Sequence, residues 1–187
     1  MLYLASASPR RTQLLTQLGI QHQVVTSDVV ELRDEQETAL AYGYRISLAK
    51  ARAVADQLPD QTWVLSADTE VVLHDETLGK PENQSHFMQM MRRLSGQTHA
   101  VQTVICLMRG NECWQNHQLS LLTFRQLSDS ELEAYWLSGE AQGKAGGYDI
   151  QGRAQAWVSQ FQGSYSGVMG LPLYETEQLL RLAGCLE

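Results

Sequence analysis

Residues 2 to 19, LYLASASPRRTQLLTQLG, constrain the fold more than any other stretch. Leu2 to Ala5 read as a short buried strand. Ser8 fits a helix N-cap and Pro9 the first helical position, where a missing N–H costs nothing. Leu14, Leu15 and Leu18 give the helix an apolar face, and Gly19 fits the residue just past its end. A chain that begins strand, polar turn, helix is set toward an α/β arrangement.

The same stretch carries an electrostatic oddity. Arg10 and Arg11 fall at the second and third helical positions, beside the positive end of the helix dipole, where a cation loses about 0.3–1 kcal/mol. An anion there would offset the loss, and free N–H groups at a helix start favour one. Strand, polar turn, helix start and paired guanidiniums together describe a phosphate cradle. The alternative is that both arginines point into solvent or pair with Asp or Glu. Ser8 reads equally as a cap or as a ligand contact.

Further along, Val24 and Val25 suggest a second strand, and residues 35 to 58 a long helix ended by Pro59 and weakened at Gly43. WVLSADTEVVL, 63 to 73, is strand-like and leads through a His74–Asp75 turn to LGKP. A helix over about 84 to 94, carrying Phe87, Met90, Met91 and Leu94, precedes Gly96. Residues 98 to 108 and 114 to 125 predict two strands joined at Gly110–Asn111. Ser128 and Glu131 make a capping box for a helix to about Leu137. A glycine-rich loop from Gly139 to Gly152, a strand over 154 to 161, and a helix opened by Pro172 and closed by Gly184 complete the reading. Early alternation with a hairpin midway implies an α/β fold with a mixed sheet.

At 187 residues the chain suits one domain, 1–187, with room to split into two lobes. No apolar run approaches the roughly 18 residues of a spanning helix, and the arginines after Ala5 are unlike a signal peptide. The three cysteines, Cys106, Cys113 and Cys185, form no CxxC pair, which favours reduced thiols in a cytoplasmic protein over a disulfide framework or zinc knuckle. A net charge of −7 argues against a long nucleic acid, while a local cationic cluster still suits a small anion.

Asp68 ends an apolar run at LSAD, where strand ends of α/β sheets handle ligands. It suits a divalent-ion ligand or a general base for water; a plain turn residue is the other reading. Glu70, two residues on, shares its strand face and either extends such a site or faces solvent. Lys50 lies in the long helix, Lys80 beside Gly79 in a loop from which it can reach a phosphate, and Glu31 in a polar loop. GKAGGYDIQG, 143 to 152, lets backbone approach a ligand at Gly146 and Gly147. Its Gln151 suits either a base edge or an ordinary surface loop. Gly139 to Lys144 is one residue short of a P-loop, and Ala145 stands where Ser or Thr should hold magnesium. GSYSG has Tyr165 at the centre and is no nucleophile elbow. The scattered histidines make no zinc motif.

SASPRR, SLAKA, SADT, LGKP, LSGQTHAVQT, GKAGGYDIQG and GSYSGVMGLPL together resemble, in order, the motifs of the Maf family of nucleoside triphosphate pyrophosphatases, from residue 2 to about 182. The resemblance implies an elongated mixed β-sheet flanked by helices, two lobes with a central cleft, similar to the inosine triphosphate pyrophosphatases. It implies hydrolysis of a nucleoside triphosphate to the monophosphate and pyrophosphate with a divalent metal cation, Mg²⁺ or Mn²⁺. By position, the proton acceptor falls on Asp68, phosphate contacts on Ser8, Arg10, Lys50 and Lys80, and a metal-associated carboxylate on Glu31 beside Asp68. Arg11, Thr69 and Gln151 occupy the positions that track substrate choice and look like the subfamily acting on dTTP and UTP. Ser66, where the family often has Gly, and Glu70, where an aliphatic residue is common, depart from the pattern. A homodimer is compatible with the family. Nucleotidyl transfer to an acceptor, or a nucleotide-binding regulator of cell division without turnover, are the alternative readings.

Overall fold

A computed structural model describes residues 1–34 and 36–186. In chain order these form β1 (Leu2–Ala5), α1 (Pro9–Gln17), β2 (His22–Val25), α2 (Ala39–Ala55), β3 (Trp63–Leu73), β4 (Glu76–Leu78), α3 (Gln84–Leu94), β5 (Thr98–Arg109), β6 (Glu112–Phe124), α4 (Asp129–Leu137), β7 (Val158–Gln162), α5 (Tyr165–Met169) and α6 (Leu173–Leu182). Among the described residues seven strands make one mixed sheet in the order β2-β1-β3-β5-β6-β7, with β4 paired to β3. β1 runs parallel to β2 and β3, while β4 and β7 run antiparallel to their partners. The expected mixed sheet flanked by helices is what forms.

Local rules explain most boundaries. Gly19 takes φ +73 just past α1, and the capping box at Ser128 and Glu131 closes in both directions. Three expectations need correction. The helix expected over 35 to 58 is α2, Ala39–Ala55, with position 35 outside the described residues. Thr38 caps it by accepting the Ala41 N–H, and Glu37 is drawn off to Arg45. Its far end tightens into a turn, with Leu58 N–H on Ala55 O, because a residue before proline avoids the helical region. The strand expected over 154 to 161 begins only at Val158; Arg153–Trp157 form a 3-10 turn that buries Ala154 and Trp157. β4 and α5 were not expected, since three and five residues are too short to show a period.

The chain divides into two compact units. The first comprises Met1–Thr69, Thr103–Gln118 and Ser164–Glu187. Side chains alternate between faces along a strand, and in this unit the alternation sorts the helices. Ala51 and Val54 of α2 pack with Ala5, Val64, Cys106 and Met108. Ser66 and Asp68 share Val64's parity and also meet α2: Ser66 Oγ donates to Ser47 O at 2.6 Å, and Asp68 meets Lys50. The departure at Ser66 is therefore a satisfied buried hydroxyl. Thr69 points the other way and meets α1 through Arg11. β1 pairs with β3 only as far as Leu65, so Asp68 and Thr69 lie on β3 beyond the carboxyl end of the paired stretch of β1.

The second unit comprises Glu70–Gln102 and Leu119–Gly163. Its core is aromatic. Phe124 meets the rings of His99, Tyr148 and Trp157 edge-on, and Tyr135 lies 4.6 Å from Trp157. Gly146, at φ +67, sits where a Cβ would come within 2.8 Å of Val71 Cγ2, and its N–H bonds Gly79 O of LGKP at 3.0 Å. Thus the LGKP and GKAGG segments are joined backbone to backbone.

His99 is buried, 2.8 Å from Tyr148 Oη through Nε2, and its Nδ1 has no hydrogen-bond partner among the described residues. Burial pulls its pKa down from 6.5 to about 4. The unfolded chain therefore binds a proton that the folded chain refuses between these values. Stability from this group is complete above pH 6.5 and falls as pH drops toward 4, by about 3 kcal/mol in full. Urea unfolding from pH 7 to 4 should show this loss, and His99→Gln should flatten that part of the profile.

Candidate active site

α1 begins without the usual compensation. Ser8 stands at the N-cap, but its side chain caps no N–H, and the first turn holds no acidic residue. Arg11 turns away from the helix start instead. Nε donates to Gly170 O at 2.8 Å, Nη1 to Ser6 Oγ at 3.2 Å, and Nη2 to Thr69 Oγ1 at 3.1 Å. Arg11 is thus neither turned into solvent nor paired with a carboxylate among the described residues, the two alternatives to an anion that the sequence left open. Burial lowers its pKa, and the fields of Asp68 and Glu31 push it back up. Gly170 suits this position through its φ of +116, a conformation that other residues rarely adopt.

On the α2 side of β3, Lys50 Nζ lies 2.7 Å from Asp68 Oδ1 and 2.7 Å from Glu31 Oε1. Lys50 and Asp68 are buried, whereas the Glu31 side chain is 41% exposed. A single ammonium thus gathers two carboxylates. Asp68 Oδ2 is buried and has no hydrogen-bond partner among the described residues. A buried carboxylate oxygen without a donor is costly, so one that persists invites a water proton or a cation. No group of three or more His, Cys, Asp or Glu suited to a metal occurs among the described residues. Two carboxylates nonetheless match a hard divalent ion of the magnesium type, which takes one or two protein oxygens together with substrate phosphates.

Asp68, Lys50 and Glu31 therefore form one cluster of the first unit, and Arg11 and Thr69 a second. Ser8, half-buried, donates its N–H to Ser6 Oγ at 3.2 Å, the same oxygen that accepts from Arg11. Arg10 is half-buried in the first turn of α1. Lys80 and Gln151 belong to the second unit and are exposed, with the Gln151 N–H on Asp149 Oδ1 at 2.9 Å. Ser6, Thr103 and the Gly167 and Gly170 carbonyls were missed by sequence reasoning. Each lies inside a motif block already singled out, but only its position in the block hinted at it.

The family described as Maf-like protein matches residues 1–183. The chain belongs to the Maf family. Among Maf relatives, a protein of Methylococcus capsulatus named dTTP/UTP pyrophosphatase is 45% identical, over 98% of this chain and 91% of that protein. One of Xanthomonas oryzae pv. oryzae with the same name is 47% identical, over 98% and 99%. One of Escherichia coli O157:H7, again so named, is 44% identical, over 96% and 91%. A solved structure, the Staphylococcus aureus Ham1 protein, aligns with 66% of this Maf chain and 71% of its own at 14% identity and a TM-score of 0.49, too slight a likeness to build on. No helix among the described residues is long and apolar enough to cross a membrane.

Lys50 and Glu31 should differ sharply in what they contribute to stability. Lys50→Met strands the buried Asp68 carboxylate without its counter-charge and should lower the unfolding free energy by about 3 kcal/mol or more. Glu31→Gln, at a half-exposed partner, should cost less than about 1 kcal/mol. Urea unfolding of both variants at pH 7 measures the difference.

Proposed function

We propose that this chain hydrolyses pyrimidine nucleoside triphosphates, dTTP and UTP and modified forms of them, to the monophosphate and pyrophosphate, as cytoplasmic nucleotide-pool house-cleaning. The whole chain, 1–187, acts as one catalytic domain. The observation that carries this reading is the buried Lys50–Asp68 pair, joined by the exposed Glu31, with the Asp68 oxygen that has no partner among the described residues. The names of relatives at 44–47% identity support the choice of substrate.

In this reading Asp68 Oδ2 accepts a proton from water as the water oxygen attacks the α-phosphorus. The bond from that phosphorus to the bridging oxygen breaks, and pyrophosphate leaves with the bond's electrons. Lys50 has three N–H donors; two go to Asp68 and Glu31, and the third would serve the phosphates. Arg10, Lys80 and the α1 start with Ser8 offset further phosphate charge, as phosphoryl transfer requires. Arg11, Thr69 and Gln151 choose the base. Glu31 and Asp68 would hold Mg²⁺ or Mn²⁺, which when bound supplies Lewis-acid neutralisation of the phosphates.

A pyrophosphate-release screen across ordinary and modified nucleoside triphosphates tests the reading. Turnover should be highest with dTTP and UTP, stop with EDTA, and return with Mg²⁺ or Mn²⁺. Asp68→Asn keeps the shape and an acceptor for Lys50 but cannot take the proton. It should lower kcat by roughly 10²–10⁴-fold, and near wild-type turnover would remove Asp68 from the role given to it.

A further inference from the structure

Four groups of the first unit fix one another's protons. Thr103 on β5 is fully buried, and its hydroxyl donates to Gly167 O at 2.8 Å. A carbonyl oxygen only accepts, so the direction is settled. The single Thr103 proton is thereby used. Its oxygen, 2.9 Å from Thr69 Oγ1, can meet Thr69 only as an acceptor, and the Thr69 proton must point toward Thr103. Arg11 Nη2, always a donor, takes one lone pair of Thr69 Oγ1. The Thr69 hydroxyl is left with one lone pair and no proton to offer. Beside it, three of the five Arg11 N–H groups are engaged by Gly170 O, Ser6 Oγ and Thr69 Oγ1, which leaves two to give.

We propose that Thr103 is a positioning residue that locks Thr69 as a hydrogen-bond acceptor, so that Thr69 and Arg11 together receive a base edge on which a ring N–H lies beside an oxygen. Uracil and thymine present that edge, with N3–H between O2 and O4. Cytosine presents a lone pair at N3, and lone pair against lone pair repels. To offer its amino N–H instead, cytosine must slide along its edge, which draws the sugar and triphosphate off their anchors. The discrimination is set by proton direction, and so by a residue two bonds removed from the base. It explains why a buried threonine is placed where valine would fill the same space.

This inference rests on the nucleotide reading above, and binding separates the two. The measurement is calorimetric affinity for non-hydrolysable α,β-imido analogues of UTP, CTP and 3-methyluridine triphosphate, the last lacking the N3–H. Wild type should bind the UTP analogue about tenfold or more tighter than either of the others. Thr103→Ser should keep the preference. Thr103→Val frees the Thr69 proton and should bring the UTP and CTP analogues to within about threefold. A folded Thr103→Val with the wild-type preference overturns the inference. If that variant does not fold, equal wild-type affinity for the UTP and 3-methyluridine analogues overturns it instead. Absence of pyrophosphate release from UTP by wild type would sink the proposed reaction while leaving the binding preference measurable.

Discussion

A buried ammonium held between two carboxylates is the constraint on which the first unit depends. Lys50 and Asp68 sit where bare charges are costly, and the Asp68 carboxylate is tolerable because Lys50 is present. Stability alone does not account for Asp68, since a well-packed apolar pair would serve as well or better. Its persistence, with one oxygen unpartnered among the described residues, is what makes the cluster a candidate for chemistry rather than for scaffolding. Glu31, more exposed, adds a second acidic group to the same cation at little structural risk.

One residue separates two kinds of work. Because a strand alternates its faces, Asp68 meets α2 and Lys50 while Thr69 meets α1 and Arg11. On the proposed reading, hydrolysis belongs to the first cluster and base choice to the second. The paired stretch of β1 ends before both, so β3 carries the two side chains past it together. The helix start, where one anion was expected to serve both arginines, divides them. Arg11 is hydrogen-bonded to three uncharged oxygens of its own unit, and Arg10 stays with the first turn of α1.

Much of this was legible in the sequence. The strand β1, the Gly19 stop, the capping box at Ser128 and the helix over Gln84–Leu94 follow from short-range rules and formed as expected. The α2 ends were misplaced because Thr38 and the turn before Pro59 compete with helix propensity. The early end expected of β7 was drawn into a 3-10 turn by burial of Trp157. Asp68, Lys50 and Glu31 were named from motif positions, yet nothing in their spacing revealed that one ammonium would join them.

Short-range sequence rules set most helices and strands, β4 and α5 aside, and named the residue types that could carry the chemistry. Those choices depend on neighbours a few positions apart: caps, periods of 2 and 3.6, and glycines at positive φ. Only the tertiary structure decided the partners. Arg11 reaches Gly170, 159 positions away, and Thr103 reaches Gly167, 64 away. The direction of each shared proton follows from which groups meet, and no local rule specifies a meeting between segments so far apart along the chain.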